Sequence, residues 1–306
     1  MTNPPQKPKS KLTPSPFNRD LQFYILLAPF FILFFTFTVL PVITSMALSF
    51  TDFNMLQWPG FVGWDNYLRL FLRDEVFIIA LRNTIIFAAI TGPLGYAMSF
   101  TVAWVINELN PKLRALMTLL FYAPSISGGA FIIWAWFFSG DRHGWVNAQM
   151  LRLGLWVDPI NFWQDSSYIL PLLIVVQLWM SLGIGFLSFV AGLQTVDRAL
   201  YEAAAVDGIK NRWQELWFIT LPSMRPQLMF GAVMTITGSF AVGGLSTALA
   251  GNPSVNYAGH FVINHLQDFG SIRFEMGYAS SIAVLLFLVM VGANKAVQRL
   301  LRKVGT

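Results

Sequence analysis

The sequence predicts an all-α integral membrane protein with six transmembrane helices and both termini in the cytoplasm. Of its 306 residues, 55% are hydrophobic and only 11% are charged, whereas roughly 25% of an average soluble domain is charged. A soluble fold of this length could not bury so much apolar surface, so one bilayer-spanning domain is favoured over two soluble domains. The chain contains no cysteine, which excludes disulfides, thiolate metal ligands and a cysteine nucleophile.

Six apolar stretches are long enough to cross a bilayer, whose hydrocarbon core of about 30 Å needs about 20 helical residues. Their interiors are nearly free of charge, as a helix in lipid requires. The predicted spans cover residues 21–50, 77–106, 113–138, 168–193, 228–250 and 276–297.

The remaining boundaries follow from composition and charge. Residues 1–20 are rich in Pro, Lys and Ser and are expected to form a disordered cytoplasmic tail, and residues 21–306 a single transmembrane domain. With the amino terminus inside, 14 of the 20 Lys and Arg residues fall on the cytoplasmic side, in agreement with the positive-inside rule. These basic residues lie at the ends of apolar runs, which argues against nucleic-acid binding.

The connection between the fourth and fifth spans, residues 194–227, is longer and more polar than a turn between two helices needs. Asp197 is expected to cap a short helix over residues 196–206. Gly208 then ends this helix by taking the left-handed conformation that glycine tolerates. We refer to residues 194–227 as the inner loop.

A second short helix is expected in the inner loop over residues 211–219, with Trp213, Leu216 and Trp217 near one face. Pro222 is expected to end it, because proline lacks the N–H that a continuing helix needs. Two short amphipathic helices on the cytoplasmic side indicate a surface that another protein grips.

Seven positions of the inner loop resemble the EAA signature of type I ABC importer permeases. They are Glu202, Ala203, Ala204, Asp207, Gly208, Leu221 and Pro222. One departure is visible: ten residues separate Gly208 from Ile219, where the family pattern has nine. The extra residue is expected to lengthen the turn around Lys210 and Asn211.

The resemblance extends from residue 21 over the rest of the chain. Residues 61–67 and the pair Asn83-Thr84 are similar to the opening segments of carbohydrate-uptake permeases related to the maltose and glycerol-phosphate systems. The resemblance therefore implies the transmembrane-domain fold of a type I ABC importer, in the cytoplasmic membrane of a prokaryote.

In that family the EAA loop is a coupling helix held in a cleft of a cytoplasmic ATPase. The resemblance implies that Glu202 anchors this contact by a charge-assisted bond; the alternative is that Glu202 is only a solvated surface residue.

No Gly-x-x-x-x-Gly-Lys-Ser/Thr loop is present, so ATP hydrolysis must come from partners. The implied partners are a second six-span permease, two ATPase subunits that hold ATP and Mg²⁺, and an extracytoplasmic solute-binding protein. This chain itself is expected to bind no cofactor and no metal.

Polar side chains inside apolar spans are costly and tend to face a cavity. Six residues with hydrogen-bonding groups or aromatic rings are therefore candidates for contact with a sugar. They are Gln177, Trp179, Ser181, Thr235, Ser239 and Phe240. The alternative is that the small polar side chains bond within and between helices and permit close packing.

Three histidines, His143, His260 and His265, fall in predicted outer loops and are expected at the surface. No catalytic set of nucleophile, base and orienting group is visible. The leading hypothesis is thus an importer subunit for a sugar or oligosaccharide. A phosphorylated polyol or modified sugar is an alternative cargo, and a secondary transporter that acts alone is an alternative mechanism.

Overall fold

The computed structural model describes residues 16–301, with side chains from residue 21 onward except that of residue 22. Every regular element in this range is helical, and an isolated β-bridge joins Thr51 to Phe61. The all-α prediction is therefore confirmed for the described residues.

Only residues 16–20 of the predicted cytoplasmic tail lie within the described range. Residues 1–15 lie outside the described range, as do residues 302–306. The first helix begins at Pro16, so the prediction of disorder is wrong for residues 16–20. Proline is favoured in the first turn of a helix, because its missing N–H would have no partner there.

Before residue 196 the described helices are α1 Pro16–Phe34, a π-helical turn Phe35–Val39, α2 Leu40–Leu48, α3 Asp65–Leu72, α4 Glu75–Asn107, α5 Pro111–Ile126, α6 Ile132–Phe137, α7 Trp145–Arg152, α8 Ser166–Met180 and α9 Ile184–Thr195. After it they are α10 Arg198–Val206, α11 Arg212–Glu215, a π-helical turn Leu216–Thr220, α12 Leu221–Ser223, α13 Arg225–Phe240, α14 Gly243–Ala250, a 3₁₀ turn Val255–Tyr257, α15 Val262–Gln267, a π-helical turn Asp268–Ile272 and α16 Met276–Leu301.

Four helical segments of the described range are long and apolar enough to cross a membrane. They are Phe23–Leu48, Glu75–Asn107, Ser166–Thr195 and Met276–Leu301. Helices α13 and α14 meet the same criterion when they are taken together as one span bent by 42°. Five of the six predicted stretches therefore have a helical counterpart of sufficient length.

The third predicted stretch, residues 113–138, is not one continuous helix. Helix α5 ends where Ser127 becomes extended, and α6 begins only at Ile132. Gly128 and Gly129 lie in the break, and each glycine in a helix interior costs about 1 kcal/mol relative to alanine. The continuous span predicted here is wrong for these residues.

Helix α4 is the centre of the fold. It packs against α8, α9 and α13 along its length and against α3 and α15 near its beginning. One apolar cluster joins its first half to α13 and α16, and a second joins its last turns to α9 and the start of α13. Close approach is permitted by glycine: a Cβ on Gly185 would lie 3.4 Å from the carbonyl oxygen of Gly231.

Two glycines of α13 provide a test of this packing. A Cβ on Gly231 would lie 2.5 Å from Cε1 of Phe189, whose ring is fully buried. Gly231→Ala is therefore expected to destabilise the protein by about 1–3 kcal/mol, as overpacked core substitutions do. Gly238→Ala is the matched control, because a Cβ there has no atom within 4 Å, and it should be neutral or slightly stabilising. Thermal unfolding of the detergent-solubilised protein measures both, and equal melting temperatures would contradict the packing argument.

Candidate functional site

The first helix of the inner loop, α10, forms as predicted. The side chain of Asp197 caps it by accepting a 3.0 Å bond from the Ala199 N–H. Gly208 ends it with φ +95°, and the Ile209 N–H reaches back 3.0 Å to the Ala204 carbonyl. This is the hydrogen-bond pattern of a glycine C-cap. The predicted cap and glycine turn are both confirmed.

The second helix is longer than predicted. The Asn211 side chain caps it by accepting from the Gln214 N–H at 2.9 Å, and helical structure then runs through α11, the π turn and α12 to Ser223. Pro222 therefore does not end the helix. The π turn just before it explains this, because the Leu221 N–H donates to the Leu216 carbonyl five residues back and the proline follows an already widened turn.

Residues of the second helix divide between the interior of the bundle and solvent. Leu216, Ile219 and Thr220 are buried. Trp213 and Trp217 are 65% and 58% exposed, so the single face predicted for Leu216 and these tryptophans is wrong. A side chain's direction here depends on the π turn, which rotates the later residues relative to an ordinary helix.

The seven residues that resemble the EAA signature also divide between solvent and the interior of the bundle. Glu202, Ala203, Asp207 and Gly208 are exposed on α10 and its turn, whereas Ala204 is buried, and Leu221 and Pro222 are half-buried. Leu221 packs against the apolar cluster formed by α9, the end of α4 and the start of α13.

One side-chain bond joins the two helices. The Tyr201 hydroxyl and Thr220 Oγ1 are 2.9 Å apart, and Thr220 Oγ1 also donates to the Glu215 carbonyl at 3.2 Å. The inner loop is thus a packed two-helix unit with an exposed polar edge that includes Glu202.

Three of the predicted substrate residues lie together against α4. A Cβ on Gly95 would lie 2.9 Å from Ser181 Cβ and 3.7 Å from Thr235 Cγ2, and a Cβ on Gly92 would lie 3.7 Å from Ser239 Oγ. These short side chains occupy the space that the glycines leave.

Their hydroxyls bond to their own helices. Ser181 donates to the Leu178 carbonyl at 2.7 Å, Thr235 to that of Gly231 at 2.9 Å, and Ser239 to that of Thr235 at 2.9 Å. This geometry agrees with the packing alternative for these three residues; contact with a solute stays a prediction.

The other three candidates have separate surroundings. The Trp179 ring meets Trp134 edge-on at 5.6 Å, Phe240 is buried in the cluster shared by α4, α13 and α16, and Gln177 is half-buried on α8. Their role in solute contact likewise stays a prediction.

A buried polar network near the beginning of α4 has no counterpart in the sequence-based predictions. His260 and His265 are only 5% and 3% exposed, so the expected surface position is wrong for both, whereas His143 is exposed. His265 Nε2 lies 2.9 Å from Asp74 Oδ2, and the Tyr278 hydroxyl donates to the same oxygen at 2.6 Å.

The network extends from Asp74 into the segment after α14. His260 Nε2 is 3.3 Å from His265 Nδ1, and the Asn83 amide donates to the carbonyl oxygens of Tyr257, Ala258 and His260. One signal in the sequence pointed to it: Asp74 directly before an apolar run is typical of a helix cap, and the Phe77 N–H donates to it at 2.8 Å. The histidines could not be inferred, because His265, which contacts Asp74, lies 191 residues away along the chain.

The network lowers the pKa values of two of its members, Asp74 and His260. Although burial opposes its ionisation, the bonds that Asp74 accepts from His265, Tyr278 and the Phe77 N–H hold its pKa below the usual range. Burial, together with the neighbouring His265, lowers the pKa of His260 to about 4. His260 is therefore neutral at neutral pH. Among residues 16–301, no group of three or more His, Asp or Glu side chains is placed to hold a metal ion.

Comparison with known proteins relates the chain to a transport family. Residues 92–304 match the family described as "Binding-protein-dependent transport system inner membrane component". The chain is 32% identical over 277 residues to the "Probable ABC transporter permease protein YesP" of Bacillus subtilis (strain 168), covering 89% of this chain and 87% of that protein. It is 32% identical over 225 residues to the "Lactose transport system permease protein LacF" of Rhizobium radiobacter, covering 72% and 73%.

A solved structure is similar over almost the whole chain. It is described as "Crystal structure of bacterial alginate ABC transporter in complex with alginate pentasaccharide-bound periplasmic protein". The chain it contains has 26% sequence identity to this one and superposes with a TM-score of 0.73, covering 95% of this chain and 98% of that chain.

The lowered pKa of His260 predicts a pH-dependent stability. On acidification the unfolded chain takes up the proton first, at its ordinary pKa near 6.5, whereas the folded chain does so only near 4. Stability is therefore full above about pH 6.5 and is lost as the pH falls toward 4. Between about pH 7 and about pH 5 the loss should be about 2 kcal/mol.

Thermal unfolding in detergent at these two pH values measures this loss. His260→Gln should remove most of the slope, while His143→Gln, at an exposed site, should keep it. The lowered pKa of Asp74 does not interfere, because carboxylates of the unfolded chain titrate near pH 4 and below. An unchanged slope in His260→Gln would show that another group is responsible.

Proposed function

The chain belongs to the family of binding-protein-dependent transport system inner membrane components, and from this we propose that it is the permease subunit of an ABC importer for a sugar or oligosaccharide. It forms half of a translocation pathway and transmits the movement of cytoplasmic ATPases through the inner loop. The observation that carries the proposal is the inner loop itself: two capped, mutually bonded short helices with an exposed acidic edge at Glu202 and Asp207.

The cargo we propose follows from the relatives and from the candidate residues in the spans. Support comes from the lactose and alginate named for the relatives above. The six candidate residues carry no charge, which suits a neutral sugar such as lactose rather than alginate, an acidic polysaccharide. A phosphorylated polyol or modified sugar is the alternative cargo. It gains support from a "Sulfoquinovosyl glycerol transport system permease protein SmoG" of Agrobacterium fabrum, which is 27% identical over 286 residues.

The topology we propose has six crossings of a bacterial cell membrane and both termini in the cytoplasm. The long helical segments and the bent pair α13–α14 supply five crossings, and α5 with α6 supplies the remaining one despite its break. This arrangement places the inner loop on the side of the ATPases and the network around Asp74 on the outer side. It also agrees with the distribution of Lys and Arg.

The partners we propose are a second six-span permease, two ATPase subunits and an extracytoplasmic solute-binding protein. ATP and Mg²⁺ are held by the ATPases, and this chain provides neither a cofactor site nor catalysis. The inner loop offers a suitable docking surface, since Val206, next to Asp207 in the chain, is 88% exposed and Phe218 on the second helix is 71% exposed. Exposed apolar side chains beside a carboxylate suit a cleft with an apolar wall and a basic group.

The anchor role of Glu202 is tested by Glu202→Gln, which keeps the size of the side chain but removes its charge. We expect co-purification with the ATPase and ATP-dependent uptake to fall about tenfold or more, because a charge-assisted bond contributes about 1.5–3 kcal/mol. Asp158→Asn is the control, since it removes an exposed carboxylate from the loop between α7 and α8. Full coupled uptake by a well-expressed Glu202→Gln protein would refute the anchor role.

The importer mechanism is tested by reconstitution. The chain is placed in proteoliposomes with its genomic-neighbour permease, ATPase and binding protein, and uptake of a radiolabelled disaccharide mixture is followed with and without each partner. Uptake is expected only with all partners and ATP. Uptake by the chain without the ATPase would instead support a secondary transporter.

A further inference from the structure

Besides the apolar packing of Leu221, the inner loop touches the end of α4 through Arg212 and Trp213. Arg212, the first residue of α11, forms an ion pair with Glu108, which directly follows α4. The ring of Trp213 lies 5.4 Å from that of Trp104 in the last turn of α4. Arg212 is also held by Glu215 at 3.2 Å, so its guanidinium is oriented from its own helix.

The end of α4 is itself firmly connected to the next helix. Arg114 on α5 donates from Nη2 to the Asn107 carbonyl at 2.9 Å and to the Leu109 carbonyl at 3.1 Å. A cation that binds the last carbonyls of a helix stabilises its terminus. A displacement of Glu108 therefore moves the end of α4 and the start of α5 together.

Helix α4 is continuous over 33 residues, which corresponds to about 50 Å. It runs from the inner loop, past the glycines that face Ser181, Thr235 and Ser239, to the polar network around Asp74. It thus connects the cytoplasmic end of the chain with both the middle and the opposite end of the bundle.

We propose that Arg212–Glu108 and Trp213–Trp104 form a second mechanical output of the inner loop, through which α4 follows the loop when the ATPases move it. The first output is the covalent one, through Met224 into α13. The four side chains are positioning residues in this proposal, because they are argued to act through α4. This inference rests on the proposed function, in which the inner loop is the coupling element.

The exposure of the Arg212–Glu108 ion pair determines what its loss should change. Arg212 and Glu108 are substantially exposed, with side-chain exposures of 61% and 43%, and such pairs contribute about 0–1 kcal/mol to stability. Breaking the pair should leave folding and assembly nearly unchanged. It should instead reduce the transport obtained for each ATP hydrolysed, because α4 would then follow the inner loop only through Trp213–Trp104 and apolar packing.

The test is a charge swap in the reconstituted complete importer. Glu108→Arg and Arg212→Glu each place like charges together, and each is expected to lower uptake per ATP hydrolysed about fivefold, while ATPase co-purification changes less than about twofold. The double variant Glu108→Arg with Arg212→Glu is expected to recover uptake to within about twofold of the parent. Lys112→Glu, at an exposed site beside Glu108, controls for the change in charge and should have no effect.

The outcomes separate this proposal from the one it rests on. If Glu202→Gln is uncoupled but both single charge reversals transport normally, or if the swap fails to recover uptake, the second output is refuted and the proposed function stands. If Lys112→Glu matches Arg212→Glu, surface charge rather than the pair is responsible, which also refutes it. Should a reversal prevent expression, Glu108→Gln and Arg212→Gln serve instead, with an expected loss of about twofold to threefold that is not additive in the double variant.

Discussion

The hydrocarbon core of a bilayer offers no hydrogen-bond partner, so a chain that crosses it must satisfy its backbone N–H and C=O groups internally. The membrane-spanning part of this fold depends on that constraint. In the first span, Leu40-Pro41 is preceded by a π turn in which the leucine N–H donates five residues back, and Leu221-Pro222 in the inner loop has the same arrangement outside the spans. The wider turn accommodates a proline that cannot donate and that would crowd a regular helix. A helix can therefore pass both prolines without exposing its backbone.

The same constraint explains the polar side chains within the bundle. The hydroxyls of Thr91, Thr235 and Ser239 each donate to the carbonyl four residues earlier on the same helix. Such a side chain needs no partner from another helix, so it can stand at a close helix contact beside glycine. Helix α4 uses this arrangement to pack tightly on two neighbours, and its helical structure continues past Pro93, which lies inside it. An unbroken helix in this position can transmit displacement from one side of the membrane to the other.

Features that depend on a few neighbouring residues were predictable from the sequence. The caps at Asp197 and Gly208 and most of the apolar spans belong to this group, because helix length, capping and glycine conformation are local properties. The break after α5 was missed because Ser127, Gly128 and Gly129 lie within a long apolar run. Two adjacent glycines disfavour a helix unless packing contacts stabilise it. His260 lies against His265, five residues later, but the buried partner of His265 is Asp74, 191 residues earlier in the chain. No local pattern reports contacts at such a separation.

The extra residue of the inner loop shows how local structure protects a functional surface. We expect it in the turn between α10 and α11, where the Lys210 N–H donates to Gln214 Oε1 at 2.9 Å and Asn211 accepts from the Gln214 N–H. The turn thus has its own hydrogen bonds and lies outside both helices. Because Tyr201 and Thr220 join the helices beyond it, a longer turn need not change how the helices face each other. We therefore expect the exposed edge at Glu202 to keep its orientation relative to α4, as a lever that acts through Arg212–Glu108 and Trp213–Trp104 requires.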